Sequence, residues 1–383
     1  MLVKDLGEFG LIGRIAKLLP DTPPDVVVGI GDDVAVLKTS GPDYLLATCD
    51  IQAEGVHFTR GAITPYQLGR RAVAINVSDI AAMGGNPLWA LVSLAIPETT
   101  DVAFIEELYC GMREQAGLAG ASIVGGNLSR SGPGIAIDIT LLGQIAPARL
   151  VLRSGAREGD AVLVTGFPGD SRAGFELTRR PDLRVSEPAR KRVLERHLTP
   201  QPRLREGQAL ARSGLVRAMV DVSDGLLADL GHVCAASGTG AVIEAGKAAP
   251  SDAAAEVFAA CEAEKDRGCK PLPQSEEISR KEPLPGIGAL TQSGVLPPIG
   301  VLARMGVLEW VLAGGEDYEL LFTAAPESVP RIQKMLLDET GTPCREIGRI
   351  TGEPGVLRLV MPDGTQAVLP PGRKGWDHFA GGG

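Results

Sequence analysis

The chain places aspartates in glycine-flanked turns, each beside an apolar run. Asp32 and Asp33 stand in VGIGDDVAVLK (28–38), directly after Val26–Val27–Val28. Asp50 lies near the end of DYLLATCDI (43–51), Asp79 in INVSDIAAMG (75–84), Asp221 and Asp224 in VDVSDGLLADLG (220–231), and Glu316 and Asp317 in GGEDY (314–318). A glycine-rich loop after a strand commonly carries a lysine for phosphates; here two carboxylates take that place. Any one aspartate could merely cap a helix or close an Asx turn, and Asp79 before IAAMG and Asp224 before GLLADLG suit helix starts. As a set, they suit hard cations. Mg²⁺ takes oxygen ligands, usually one or two carboxylates completed by water and substrate phosphates, so several separated carboxylates imply several ions. P-loop, dinucleotide-fingerprint, HExxH and G-x-S-x-G patterns are absent. With only 4 histidines, a His-rich zinc site has little support.

Other residues are less telling alone. His57 in EGVHF (54–58) reads first as a partly buried histidine in a strand, and Arg153 in LRSGAREGD as an ordinary surface charge before a turn. Trp376 in KGWDHF is unusual for a tail. It needs a docking groove or a flat or cationic ligand to stack on.

The elements that must position these groups are read from hydrophobic period. The N-terminus, MLVKDLGEFGLIGRIAKLL, is an amphipathic helix. Strands are expected at 25–30, 43–51, 86–97, within ASIVGGN, and at 134–145, with a helix at 101–120. Residues 64–85 read as a helix, a break at Asn76–Ser78, and a second short helix. A boundary falls near 146–152. Beyond it, RVLERHLTPQPRLREGQALARSG is two helices split at prolines, 216–238 is strand, turn and helix, and ELLFTAA (319–325) is a strand. Residues 262–300 are polar and proline-rich, an exposed, flexible insertion. The V-S-D shared by 77–79 and 222–224 hints at two halves of similar build.

Composition bounds the function. The 383 residues are 44% hydrophobic and carry a net charge of −9, with 49 glycines and 28 prolines, which favours a two-domain α/β or α+β enzyme. The negative balance argues against nucleic-acid or anionic-membrane partners, and no apolar run reaches spanning length. The 6 cysteines show no CxxC pair and read as free thiols, which points to the cytoplasm.

Ten blocks in order resemble the thiamine-monophosphate kinases of the aminoimidazole-ribonucleotide synthetase superfamily: GEFGLI, GIGDDVAV, ATCDIQAEGVHF, NVSDIAAMGGNP, GGNLSRS, RSGAREGD, VTGFPGDSRAG, DVSDGLLADLG, GGEDYELLF and KGWDHF. The resemblance implies an α/β (α+β), two-domain aminoimidazole-ribonucleotide synthetase-like fold: an ATP- and metal-binding domain (1–148) whose sheet forms a homodimer interface, and a C-terminal α/β domain (149–383). It implies ATP-dependent phosphorylation of thiamine monophosphate to thiamine diphosphate with several Mg²⁺ ions. Carried over, the metal ligands are Asp33, Thr48, the backbone of Cys49, Asp50, Asp79, Asn127, Asp221 and Asp224. Asp50, Asp79 and Asp221 are the catalytic core. ATP falls to Gly126, Asn127, Arg153 and Ser223, and the thiamine phosphate to His57, Glu316 and Trp376. Asp32 is left to order the turn.

Two residues depart from the family pattern: Asn127 stands where Gly-Gly-Asp is common, and Cys49 where Thr is common. The resemblance leaves two other readings: a different ATP-dependent synthetase of the superfamily, such as an amidine-forming or selenophosphate enzyme, or a non-catalytic nucleotide or thiamine-phosphate binder. EGVHF, GGEDYELLF and KGWDHF favour the kinase.

The chemistry fits the residues. A phosphate monoester has a second pKa near ~6 and needs no general base at neutral pH. The obstacle is repulsion. Two unit charges ~4 Å apart cost about 4 kcal/mol at an effective dielectric of ~20, and two groups near −2 roughly four times that. Cations must cancel most of it, so the expectation is direct in-line transfer without a phospho-enzyme.

Overall fold

The computed structural model describes residue 5 and residues 7–19, 22–266 and 306–369. Trp376 and positions 267–300 of the expected insertion lie outside the described residues, while 262–266 continue a helix.

The first half contains helix α1 (Glu8–Leu18), strands β1 (Val26–Val28), β2 (Ala35–Leu37) and β3 (Tyr44–Ala53), helix α2 (Pro65–Ala82), strand β4 (Asn86–Ile96), helix α3 (Val102–Leu118), and strands β5 (Ser122–Arg130) and β6 (Ala136–Ile145). The strands form one sheet in the order β1-β2-β3-β6-β4-β5, antiparallel except for β4–β5. One face is covered by α2 and α3. Ala90, Val92 and Leu94 of β4 are buried there, whereas Trp89 and Leu91 stay exposed on the other face. That alternation is the signature of a one-sided antiparallel sheet.

Helix α2 is unbroken, contrary to the expected interruption at Asn76–Ser78. Its start carries a full capping box, Thr64 with Gln67, and Pro65 in the first turn. The polar residues that suggested a break are instead satisfied within the fold. Asn76 donates from Nδ2 to the carbonyl of Ala72 at 3.1 Å and accepts from the amide of Asp50 at 3.2 Å, and Ser78 donates to Asp221. Tertiary partners outweigh a propensity deficit of a few tenths of a kcal/mol per residue. Asp79 therefore sits in the last turn of α2, not at a helix start.

Helices α2 and α3 touch backbone to backbone through Gly69 and Gly111. A Cβ on Gly111 would lie 2.0 Å from the carbonyl oxygen of Tyr66, and one on Gly69 2.0 Å from that of Leu108. Gly111→Ala is expected to destabilise the protein by about 1–3 kcal/mol or more by forcing the helices apart. A chemical-denaturation midpoint unchanged from wild type would contradict this packing.

After β6, only a turn at Pro147–Arg149 precedes strand β7 (Ala161–Thr165). Helices α4 (Asp170–Arg179), α5 (Glu187–Leu198) and α6 (Leu204–Ser213), strand β8 (Val216–Asp221), helix α7 (Leu226–Ser237), strand β9 (Gly240–Glu244) and helix α8 (Asp252–Asp266) follow. Helix α9 (Leu308–Ala313), strand β10 (Leu320–Ala324), helix α10 (Val329–Thr340) and strands β11 (Cys344–Thr351), β12 (Leu357–Val360) and β13 (Gln366–Leu369) complete the described chain. Their sheet runs β13-β12-β9-β11-β7-β10-β8, antiparallel except for β9–β12.

This second sheet is covered on both faces. Val162, Val164 and Val220 pack with α7, while Leu163, Met219 and Phe322 pack with α6 and α10. Strands β7 and β10 are consequently buried at every position and read as continuous apolar runs. The two V-S-D strings occupy different local structures, one inside α2 and the other in the turn from β8 to α7, so they do not mark equivalent positions in two similar halves. Among the described residues, no helix is long and apolar enough to cross a membrane.

Candidate active site

Helix α2 runs between the two sheets and aims its polar residues at both. Thr48 and Asp50 lie on the β3 face that α2 covers. Thr48 donates from Oγ1 to Oδ2 of Asp79 at 2.5 Å. From the same turn of α2, Ser78 donates to Oδ2 of Asp221, at the end of β8, at 2.6 Å. The loop after β1 brings in Asp33. Carboxylate oxygens of Asp33, Asp79 and Asp221 all lie within 4.8 Å of one another. These three come from a loop, a helix end and a strand end that are well separated in the chain.

Asp32 and Asp33 have different surroundings. Asp32 accepts from the amide of Asp33 at 3.0 Å and from the amide of Arg153 at 3.2 Å, which ties the loop to the segment leading into β7. Asp33 accepts from Nε of Arg153 at 3.1 Å through Oδ1, and its Oδ2 is buried with no hydrogen-bond partner. An orphaned buried carboxylate oxygen costs free energy unless something meets it. Hard oxygen donors converging beside such an atom fit Mg²⁺.

The electrostatics agree. Burial, reinforced by Asp33, raises Asp221 to about 8. Burial together with Asp138 and Asp33 raises Asp50 to about 6. Asp79 is pushed well above the usual carboxylate range by burial and then by Asp50, Asp221 and Asp33. Asp33 is also raised by burial, against the pull of Arg153. Carboxylates gathered at this density cannot all ionise without a counter-charge. Arg153 is shared by Asp32 and Asp33, so it balances only part of the set.

A second group, Asp224, Asp229 and His232, also has ligand atoms within 4.8 Å of one another. Asp224 precedes α7, whose N-cap is Gly225 with no side-chain cap, and Asp229 inside the first turn accepts from the amide of Gly225 at 3.1 Å. Asp229 and His232 were not among the expected site residues. Their i, i+3 spacing on α7 puts both on one helix face and is the sequence signal that could have found them.

About two turns before Ser78 along α2, the buried Arg71 pairs with Glu316, whose Oε2 lies 3.7 Å from Nδ1 of His197. Glu316 has φ 63 and Tyr318 φ 52, left-handed values rare for non-glycine residues. Amides in this segment are fixed by the motif turn: Glu316 donates to the carbonyl of Ser223 at 2.7 Å, and Tyr318 to that of Val222 at 2.8 Å. The GGEDY and DVSDG segments are thereby one unit. Asp317 points elsewhere. It accepts from the amides of Gly169 and Ser171 at 2.8 and 3.2 Å and caps α4.

The remaining expected residues are dispersed. His57 lies in the turn after β3 rather than in a strand, and its Nδ1 accepts from the amide of Ala53 at 3.0 Å. The Cys49 thiol points away from Thr48, across β3, and donates to Asp138 at 3.0 Å, leaving only its backbone on the side of the carboxylates. Gly126 packs flat on β4, where a Cβ would meet the carbonyl oxygen of Val92 at 1.9 Å. Asn127 is exposed on edge strand β5 and pairs with Ser93, in the cross-strand row of Asp138 and Ile51.

Comparisons with known proteins bear on the fold and the family. The family model for the AIR synthase related protein N-terminal domain matches residues 31–145, and that for the C-terminal domain residues 157–359. The chain is 34% identical over 379 residues to thiamine-monophosphate kinase of Salmonella typhimurium, covering 98% of each chain. It is 36% identical over 379 residues to the enzyme of Aquifex aeolicus, covering 99% of this chain and 100% of the relative. A solved structure of AaThiL complexed with AMPPCP and TMP superposes with a TM-score of 0.73 at 33% identity, covering 99% of both chains. Hydrogenase maturation protein HypE in complex with ATP, at 19% identity and a TM-score of 0.60, shares the fold alone. Near-complete, full-length similarity to enzymes of one activity, on the two-part AIR synthase related fold, means that this chain belongs to the thiamine-monophosphate kinase family and is a kinase.

Proposed function

We propose that the protein transfers the γ-phosphoryl group of ATP directly to the phosphate of thiamine monophosphate, forming thiamine diphosphate without a phospho-enzyme. The observation that carries this reading is the meeting of Asp33, Asp79 and Asp221, with the unpartnered Oδ2 of Asp33 among them.

Asp33, Asp79 and Asp221 would hold Mg²⁺, with Asp50, Thr48, the carbonyl of Cys49, Asp224 and the side-chain oxygen of Asn127 completing the positions implied by the family motifs. Bound there, Mg²⁺ would supply charge neutralisation between the ATP triphosphate and the acceptor phosphate, which otherwise repel. The protein's own part is placement. Thr48 and Ser78 fix the carboxylate rotamers of Asp79 and Asp221, Asn76 fixes the β3 backbone at Asp50, and Asp32 holds Arg153 beside Asp33. Arg153 and Ser223, with Gly126 and Asn127 on the open edge of β5, are assigned to ATP. His57, Glu316 and Trp376 are assigned to thiamine monophosphate. The acceptor phosphate is already ionised near neutral pH, so no general base is needed. His197 is unsuited to that role, since burial and Arg71 lower it to about 4.

The same reading includes domains at 1–148 and 149–383, a cytoplasmic location, and a homodimer joined through the N-terminal sheet. The exposed apolar residues Ile51, Trp89, Leu91 and Leu128 on that sheet support the dimer.

Purified protein incubated with ATP, Mg²⁺ and thiamine monophosphate should yield thiamine diphosphate and ADP in equal amounts. Unphosphorylated thiamine should not replace the acceptor. ATP hydrolysis unaffected by thiamine monophosphate, or no turnover in Mg²⁺, would refute the proposal.

A further inference from the structure

Helix α2 has one polar output that the metal site does not use. Arg71 lies seven residues before Ser78, about two turns along the helix and on nearly the same side. Its side chain is 2% exposed. Nη1 donates to the carbonyl of His197 at 3.2 Å, and Nη2 donates to Oε1 of Glu316. A guanidinium removed from water at this depth must be matched, and a two-pronged contact fixes direction as well as charge.

Glu316 is the complementary case. Its side chain is 35% exposed, so the carboxylate is gripped from the interior while part of it remains open. The groups facing it from neighbouring elements are Arg71 from α2 and His197 from α5, and Ser171 of α4 bonds to the Nδ1 of His197 at 3.2 Å. His197 is neutral near pH 7, so the charge that answers Glu316 comes from Arg71. The Glu316 backbone is held in a left-handed conformation by Ser223. Backbone and side chain are therefore fixed independently, from opposite sides of the junction between the two sheets.

We propose that Arg71 is a positioning residue for the acceptor: it orients the Glu316 carboxylate toward the cationic thiazolium of thiamine monophosphate and ties that contact to the helix that carries Asp79. This rests on the assignment of Glu316 to the thiamine substrate. Nothing in the sequence marks Arg71 for this role, because its partner is 245 positions away.

The test uses full-length Arg71→Met, Arg71→Lys, Glu316→Gln and the double variant Arg71→Met/Glu316→Gln. KM is measured for each substrate, with kcat and the melting temperature alongside. Arg71→Met should raise KM for thiamine monophosphate at least tenfold and leave KM for ATP within twofold. The double variant should be no worse than the more impaired single variant, because both changes remove one interaction. Arg71→Lys keeps the charge but not the fork. It should lie between wild type and Arg71→Met, and it carries the test if the Met variant does not fold. Equal rises in both KM values, a multiplicative double variant, or an Arg71→Lys protein with unchanged KM for thiamine monophosphate would overturn the positioning role. If Glu316→Gln leaves that KM unchanged, the assignment of Glu316 fails and the role of Arg71 with it. If only the Glu316 variant is impaired, the Arg71 role alone fails.

Discussion

Asp79→Asn is expected to lower kcat by about 10²–10³-fold, the usual cost of removing one preorganised electrostatic group from a phosphoryl-transfer or acyl-transfer site. The Mg²⁺ concentration for half-maximal activity should rise with it. The substitution keeps side-chain volume and an oxygen for the Thr48 hydroxyl, so packing around the last turn of α2 is retained. It also removes a charge that burial, Asp50, Asp221 and Asp33 all disfavour. Activity and stability should therefore move in opposite directions. The variant loses turnover, while its melting temperature without Mg²⁺ equals or exceeds that of wild type. Asp50→Asn should act in the same sense with a smaller gain in stability, since Asp50 is raised only to about 6. Steady-state kinetics across a Mg²⁺ titration, paired with thermal melts in chelator, measure both halves. Near-normal turnover at limiting Mg²⁺ would remove Asp79 from the metal set.

The second large effect is the response of the metal-free protein to pH. A carboxyl whose folded pKa is raised contributes stability below its unfolded value and loses it as pH rises through the folded one. For Asp221 the folded value is about 8 against an ordinary 3.8, so its contribution is lost across that span, and the last part of the loss falls between pH 7 and pH 8.5. Within this window the loss from this group is on the order of 1 kcal/mol. The window is chosen to silence the histidines. His197 and His232 are held near 4 by burial, and their opposing contribution is lost only as pH falls below the ordinary 6.5. In chelator, the protein should melt lower at pH 8.5 than at pH 7. Mg²⁺ should raise the melting temperature more at pH 8.5, where it meets ionised carboxylates without displacing protons. A chelated protein that melts higher at pH 8.5, or a Mg²⁺ effect larger at pH 7, would contradict the clustering of these carboxylates.

Much of this site was legible in the chain. The glycine-flanked aspartates suggest oxygen-ligated cations, and Asp32, expected to order the turn, accepts from the amides of Asp33 and Arg153. Most strands and helices followed from hydrophobic period, because a one-sided sheet alternates and a two-sided sheet does not. The misreadings share a cause. Asn76 and Ser78 looked like a helix break, and Asp79 and Asp224 like helix starts, because local propensity was the only information at those positions. In the fold, the Asn76 and Ser78 side chains are spent on Ala72, Asp50 and Asp221, and α7 starts from Gly225 with no side-chain cap.

By itself, then, the sequence determined the class of fold through hydrophobic period and the family through its ordered motif blocks, since those depend on residue type and short-range spacing. Only the tertiary structure decided which carboxylates meet, and that Arg71 and Ser78 of one helix reach Glu316 and Asp221 of the second half. Pair energies of this kind depend on separation in space, which falls from hundreds of residues along the chain to hydrogen-bond contact only when both sheets close on α2.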